Sequence, residues 1–403
     1  MKTSLRSRKN QRFQSIKSDT LAGENSLFGK YYSNQSFYLN DPNENILFNN
    51  TELVDSTSEY GIYLLPGNNA KVVGSSNTII GANSVNGKTI TGNNVITIGN
   101  DDITDAQLIQ NDNVININGR AGVINPGGNS INIGRDAGSE YTGEKTIAIG
   151  RLAGRYSTGQ GAISIGNETG NQFRAGAFDP AESSDTICIG RRAGTTEQCI
   201  GTIAIGRLSG VNNQSNYSIA IGLVAGRVLQ RDYSIAVGSY AASTNQGRKS
   251  IAMGYSAGEQ YQLQNSIAIG NFCGLESQKA NAIAIGTGGT AAFYQAQNSV
   301  VIGTSTLNST NLPNLKESVN SFFIGNLNQS FKSPTGGISY DTPNSIFCFN
   351  TSGEQFVPSA NRTNGGLFIN GCIQERSVSG ATSASNNVLY YDLNNYEVYK
   401  HMT

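Results

Sequence analysis

A short motif, Ser-Ile-Ala-Ile-Gly or a close variant, returns along this chain on a fixed ruler. It ends at Gly134, Gly150, Gly166, Gly190, Gly206, Gly222, Gly238, Gly254, Gly270 and Gly286, at intervals of 16, 16, 24 and then 16 six times. Looser copies end at Gly81, Gly99 and Asn118 upstream, and at Gly303, Gly325, Asn350 and Asn370 downstream. A small residue and a second glycine follow most copies, as in Ala137-Gly138, Ala153-Gly154, Ala193-Gly194 and Ala225-Gly226. A strict period of this length decides the fold before any other feature is weighed.

Sixteen residues hold two short strands and two turns, with no room for an ordinary helix. Ile-x-Ile has the period of two that marks a strand, in residues suited to a pleated surface. The glycine allows positive φ or close approach of another backbone. Each unit therefore reads as one coil of an all-β, parallel β-solenoid, stacked on its neighbours at the strand spacing.

The slots of the coil are assigned from the alternation. The flanking residues, Ile147 and Ile149, Ile203 and Ile205, Ile267 and Ile269, are expected to form two aliphatic ladders inside the coils. The residue between them is then expected to face the opposite way. It is small through the middle of the chain: Ala148, Ser164, Cys188, Ala204, Ala220, Ala236, Ala252, Ala268 and Ala284. A continuous small stripe predicts close approach of another chain, and a homotrimer around a fibre axis is the expected arrangement. The same slot holds Thr97, Asn116 and Asn132 earlier and Val301 and Phe323 later. On this assignment the early coils line a polar axial channel, and Phe323 clamps the distal end.

Ser-Ile-Ala-Ile-Gly-x-x-Ala-Gly resembles the head repeat of trimeric autotransporter adhesins, the YadA-like head, over Asn77 to Gly303 and more loosely to Asn370. The resemblance implies a left-handed parallel β-roll that trimerises through its coils. A heptad stalk and a C-terminal membrane strand are not recognised. The basic segment Lys2, Arg6, Arg8, Lys9, Arg12 and Lys17 is not followed by the apolar core of a secretory signal, so export by that route is not expected. Asn344 to Phe356, Gly365 to Gly371 and Val388 to Lys400 resemble the distal parts of YadA-like proteins of large DNA viruses and phage fibres. In that tail motif Tyr390, Asp392, Glu397, Val398 and Tyr399 occupy the two strands of a hairpin.

Composition narrows the function. Lys and Arg balance Asp and Glu at 28 each, which argues against a dedicated nucleic-acid binder. One histidine, His401, argues against a His-based triad or zinc site, and no apolar run is long enough for a membrane-spanning helix. No cofactor is called for. Five cysteines without a Cys-x-x-Cys pair read as reduced thiols, with Cys188, Cys273 and Cys348 shielded.

Arginine follows the strand glycine at Arg135, Arg151, Arg191 and Arg207, with Arg120 one turn earlier. Two readings stand: a ladder for anionic glycans, or arginines bonded to turn carbonyls, to Glu140 and Glu144, or to a neighbouring chain. The clusters Asp101, Asp102, Asp105 and Asp179, Glu182, Asp185 read as solvated turns, with a glycosidase pair or a calcium site as the alternatives. The longer interval holds an insertion, Asn171 to Ser184, whose Phe173, Arg174 and Phe178 are candidate recognition residues.

Residues 1–70, aromatic and Asn-rich with no sixteen-residue ruler, read as an attachment region with a basic docking arm. Residues 71–303 form the regular shaft, 304–375 its irregular continuation and 376–403 a hairpin tip. The reading that follows is a non-enzymatic virion structural protein made in a host cytoplasm. It is a trimeric fibre docked by its N-terminus on a capsid or other virion protein, with a host surface glycan or protein as distal partner. A bacterial trimeric surface adhesin and a glycan-cleaving tailspike are the competing readings.

Overall fold

The computed structural model describes residues 71–80, 89–99, 111–118, 120–122, 126–140, 142–156, 159–170, 184–287, 295–304 and 320–326. It also describes isolated strands at 37–39, 46–48, 62–64, 347–350, 367–370, 389–392 and 397–400. Every regular element among them is a strand. The chain divides into two compact units, Met1–Thr186 and Ile187–Thr403.

In the first unit the Ile-x-Ile segments pair in parallel, each on the next copy. Ile131–Ile133, Ile147–Ile149 and Ile163–Ile165 stack with Ile147 opposite Ile131 and Ile163. The pairing runs further upstream than the motif. Ile46 is opposite Ile62, and Ile62 is opposite Thr78, each sixteen residues on. This corrects the expectation that the ruler is missing before residue 70: the spacing continues there, but aromatic and polar side chains hide it.

In the second unit Ile187–Ile189, Ile203–Ile205, Ile219–Ile221, Ile235–Val237, Ile251–Met253 and Ile267–Ile269 stack in the same way. Parallel pairing continues through Ile283–Thr287, Val300–Thr304, Phe322–Asn326, Phe347–Asn350 and Leu367–Asn370. Leu389–Asp392 and Glu397–Lys400 form an antiparallel hairpin with Tyr390 opposite Tyr399. A second, narrower parallel sheet makes the other wall of the coils: Thr196–Gln198, Asn212–Gln214, Val228–Gln230, Thr244–Gln246 and Gln260–Gln262.

The glycine that closes each motif is required by the stacking. Gly222 has φ 131°, and a Cβ on it would stand 2.5 Å from the carbonyl oxygen of Gly238 in the next coil. No side chain fits that contact.

The narrow wall sends a glutamine inward from every coil. Gln198, Gln214, Gln230, Gln246, Gln262, Gln278 and Gln295 are all buried, five of them sixteen residues after the one before. Each amide from Gln214 onward donates across the coil to the carbonyl of the first isoleucine of the opposite strand, as Gln246 does to Ile235 at 2.7 Å. Gln262, Gln278 and Gln295 also accept from the glutamine of the preceding coil, at 3.3, 3.0 and 2.9 Å. The ladder satisfies each of its buried amide nitrogens and, from Gln262 onward, the oxygens too, while Oε1 of Gln198, Gln214, Gln230 and Gln246 is buried and accepts no bond; it also fixes the register of successive coils. This signal recurs eight residues before the strand glycine. It is visible in the sequence, but our reading of the sequence passed over it.

The turn before each strand needs a left-handed residue, which asparagine adopts at low cost. At that position Asn265, Asn281, Asn298 and Asn320 bond side chain to side chain, each donating to the next, at 3.1, 2.9 and 2.9 Å. Lys249 holds the same place with φ 56° and is exposed. Lys249→Asn adds one rung, since its amide would donate to Asn265, and relieves the backbone. We expect a gain of about 0.5–2 kcal/mol, read as a raised thermal midpoint; an unchanged or lowered midpoint would contradict the ladder's contribution.

Candidate interaction surface

The strand alternation places two kinds of side chain on opposite faces, and their direction is the reverse of the one expected from the sequence. The middle residue points into the coil of its own chain. Ala148 is 2% exposed, and Ala204, Ala220 and Ala268 are fully buried within one protomer. The flanking Ile147, Ile149, Ile203, Ile205, Ile267 and Ile269 lie on the outer face and are only half-buried. The alanine stripe is therefore core, and the isoleucine rows are surface.

The reason is the thinness of the coil. The residue four after the strand glycine comes within touching distance of the inner slot. A Cβ on Gly226 would stand 3.0 Å from the Cβ of Ala220, and one on Gly258 would stand 3.2 Å from the Cβ of Ala252. In these middle coils alanine, serine, glycine and the glutamine ladder fill the space and leave no room for a β-branched side chain, while Ile79, Thr97 and Val301 fill the same slot in coils without that alanine column.

The polar and aromatic ends of the slot follow the same rule. Asn116 and Asn132 are buried inside their coils, where the Asn132 amide donates to Asn116 Oδ1 at 3.0 Å. They line a coil interior, so the expected polar axial channel is not what this slot forms. Phe323 is 1% exposed and belongs to the cluster of Ala284 and Val301. Its expected role as a clamp between protomers is likewise corrected: it fills its own coil where the interior widens.

Two aliphatic rows therefore run along the outer face, in the first unit from Ile96 and Ile98 to Ile163 and Ile165. In the second unit Ile203, Ile219, Ile235, Ile251 and Ile267 stand in register, as do Ile205, Ile221, Val237, Met253 and Ile269. Ile221 is 37% and Met253 43% exposed, and Leu223 just past the strand glycine is 38% exposed. An apolar surface continuous over successive coils is larger than the scattered exposed residues normal for a soluble surface.

Polar groups border this face. In the first unit the corner arginines are neutralised: Arg120 and Arg135 reach Asp136 at 3.2 and 3.4 Å, and Arg151 reaches Glu168 at 2.9 Å. Arg155 lies 3.8 Å from Glu140 and packs over the ring of Tyr156. On another edge Tyr217 and Tyr233 are exposed and stacked, with ring centroids 5.5 Å apart.

The thiols follow the slots. Cys188 takes the inner slot and Cys273 the small position after the turn; both are buried, while Cys199 is half-buried. Burial pushes the Cys188 thiol up to about 12. The side chain of Cys348 lies outside the described residues, as do Lys2, Arg6, Arg8, Lys9, Arg12 and Lys17 of the basic arm. Phe173, Arg174 and Phe178 lie outside them too, as do Asp101, Asp102, Asp105, Asp179 and Glu182 of the acidic clusters.

No family model, no curated protein and no solved structure matches this chain in comparisons with each.

Two outcomes follow from the slot assignment. Ala220→Ile overfills the coil and should destabilise the protomer by about 1–3 kcal/mol or more in urea denaturation, whereas Ile219→Ala should leave the coil folded by circular dichroism. A tolerated Ala220→Ile together with an unfolded Ile219→Ala would restore the opposite assignment. Among the described thiols, Cys199 should react with a thiol reagent at pH 8 before Cys273, and Cys188 only on unfolding. Because its folded pKa is raised, the contribution of Cys188 burial is complete below pH 9.0 and declines as pH rises towards about 12.

Proposed function

We propose that this chain is a structural fibre protein whose protomers associate, three around one axis, through the outer isoleucine rows. The observation that carries the reading is the face itself: two in-register aliphatic rows on the outside of otherwise polar coils. A second copy of the same chain is the occupant that fits best. Its rows have the same sixteen-residue spacing, so a parallel, in-register partner covers every rung with an identical one. Closure by three copies buries the face of each protomer and leaves no row uncovered.

We further propose that the fibre is part of a virion, attached through its N-terminal region and presenting its distal end outward. Support comes from the resemblance of Asn344 to Phe356, Gly365 to Gly371 and Val388 to Lys400 to distal segments of viral and phage fibres. The loops and corners of the coils are then the surface offered to a host.

Ile219→Glu places a charge in the middle of the proposed interface, where an unpaired buried charge costs several kcal/mol. By light scattering the wild type should have three times the chain mass of 42.7 kDa, and the variant should fall to the monomer while keeping its β-sheet spectrum. A wild-type monomer, or a variant that stays trimeric, would overturn the proposed interface. Antibody labelling of purified particles tests the virion assignment separately, and unlabelled particles would remove it.

A further inference from the structure

We propose that Arg191 and Arg207 form a binding site for one tetrahedral oxyanion group, a sulfate ester or a phosphate monoester. Both residues follow the strand glycine of their coils, and the strands pair directly, Ile189 opposite Ile205. The corners stack as well: the Leu208 amide donates to the Arg191 carbonyl at 3.1 Å. Two exposed guanidinium side chains thus start from equivalent points of adjacent coils, about 4.8 Å apart at the strand spacing. Like charges in register repel unless an anion lies between them.

The first unit shows how the same corner is neutralised from within. There the Glu168 amide donates to the Arg151 carbonyl at 2.9 Å, and its carboxylate meets Arg151 Nη2 at 2.9 Å. Arg135 uses the residue beside it, Asp136. In the second unit both positions have lost their acid. Leu208 stands over Arg191 and Val224 over Arg207, where Glu168 stands over Arg151; the Val224 amide donates to the Arg207 carbonyl at 3.0 Å. Arg192 and Leu208 occupy the places corresponding to Asp136. Among the described residues neither Arg191 nor Arg207 takes part in an ion pair.

The chain therefore carries two exposed arginines at equivalent corners of adjacent coils with no acidic partner among the described residues. Each guanidinium fork matches two oxygens of a tetrahedral oxyanion, so one group held between them bonds to both. A carboxylate has two oxygens and serves one fork well; a sulfate ester or phosphate monoester has three terminal oxygens, enough for two forks that share one. A site of this size recognises a single charged group, as a pendant ester on a larger molecule would supply, and does not require the broad basic surface of a nucleic-acid binder.

Isothermal titration of the intact assembled protein with galactose 6-sulfate, and separately with glucose 6-phosphate, tests this at constant ionic strength. Saturable binding of either probe is expected, weakened at least five-fold in Arg191→Gln and in Arg207→Gln, and unchanged in Arg151→Gln. The relative affinity of the two probes identifies the source of the anion. Arg191→Lys, which keeps the charge and loses the fork, should lie between wild type and Arg191→Gln. Should a variant fail to assemble, arginine side-chain NMR of the wild type replaces it: two Nε–H resonances should shift together on titration. Absence of saturable binding to the wild type, or equal binding by the double variant, overturns the site.

Discussion

The width of the coil interior is the constraint on which the rest of this structure depends. The turn after each strand folds back so closely that a methyl added to Gly226 would meet the methyl of Ala220 at 3.0 Å, and the opposite wall is near enough for Gln230 to donate to the Ile219 carbonyl at 2.7 Å. In the coils from Ala204 to Ala284 that interior holds alanine beside the flat amide of glutamine and leaves no room for isoleucine, whereas elsewhere the same slot takes Ile79, Val301 and Phe323. The large aliphatic residues of the motif are consequently turned outward. Most of the apolar burial of an ordinary domain is thereby moved from the inside of the chain to its surface. A protomer of this kind has a hydrogen-bonded interior and an apolar exterior stripe, which inverts the usual arrangement; in the proposed assembly, association would be part of its stability.

Parallel in-register stacking multiplies each local choice. Because each residue of a regular coil meets its equivalent sixteen residues on, a slot is a column: alanines on alanines, glutamine amides in a chain, asparagine amides in another along the turn. Columns of amides favour such stacking, since each donates to the next and hydrogen bonds of a series polarise one another. Columns of charge do not. The first unit offsets its arginines with Asp136 and Glu168, and the second leaves Arg191 and Arg207 without such partners.

Much of the fold was legible in the sequence because the period is strict. The sixteen-residue ruler, the strand at Ile-x-Ile and the special backbone at the glycine all stand in the structure. The direction of the side chains was not legible from the alternation. Period two says that Ile147 and Ala148 face opposite ways, but not which face is inside. Hydrophobicity favours isoleucine inside, and that preference is overridden here by the available width, a property of the coil's second wall. The clue lay in that wall: the glutamines from Gln198 to Gln295 recur on the ruler, and a long polar side chain inside a coil leaves room only for small residues opposite it. Upstream, the ruler at Ile46 and Ile62 was hidden because neighbouring aromatics mask the motif while the backbone keeps the spacing.

The account turns on which face of the strand meets another copy of the chain. A side-chain-resolution electron microscopy map of the assembled full-length protein reads this directly. The prediction is that Ile219, Ile235 and Ile251 converge on the symmetry axis while Ala220, Ala236 and Ala252 remain enclosed within each coil beside Gln230, Gln246 and Gln262. A map with the alanine column at the axis, or with the isoleucine rows facing solvent, would contradict it.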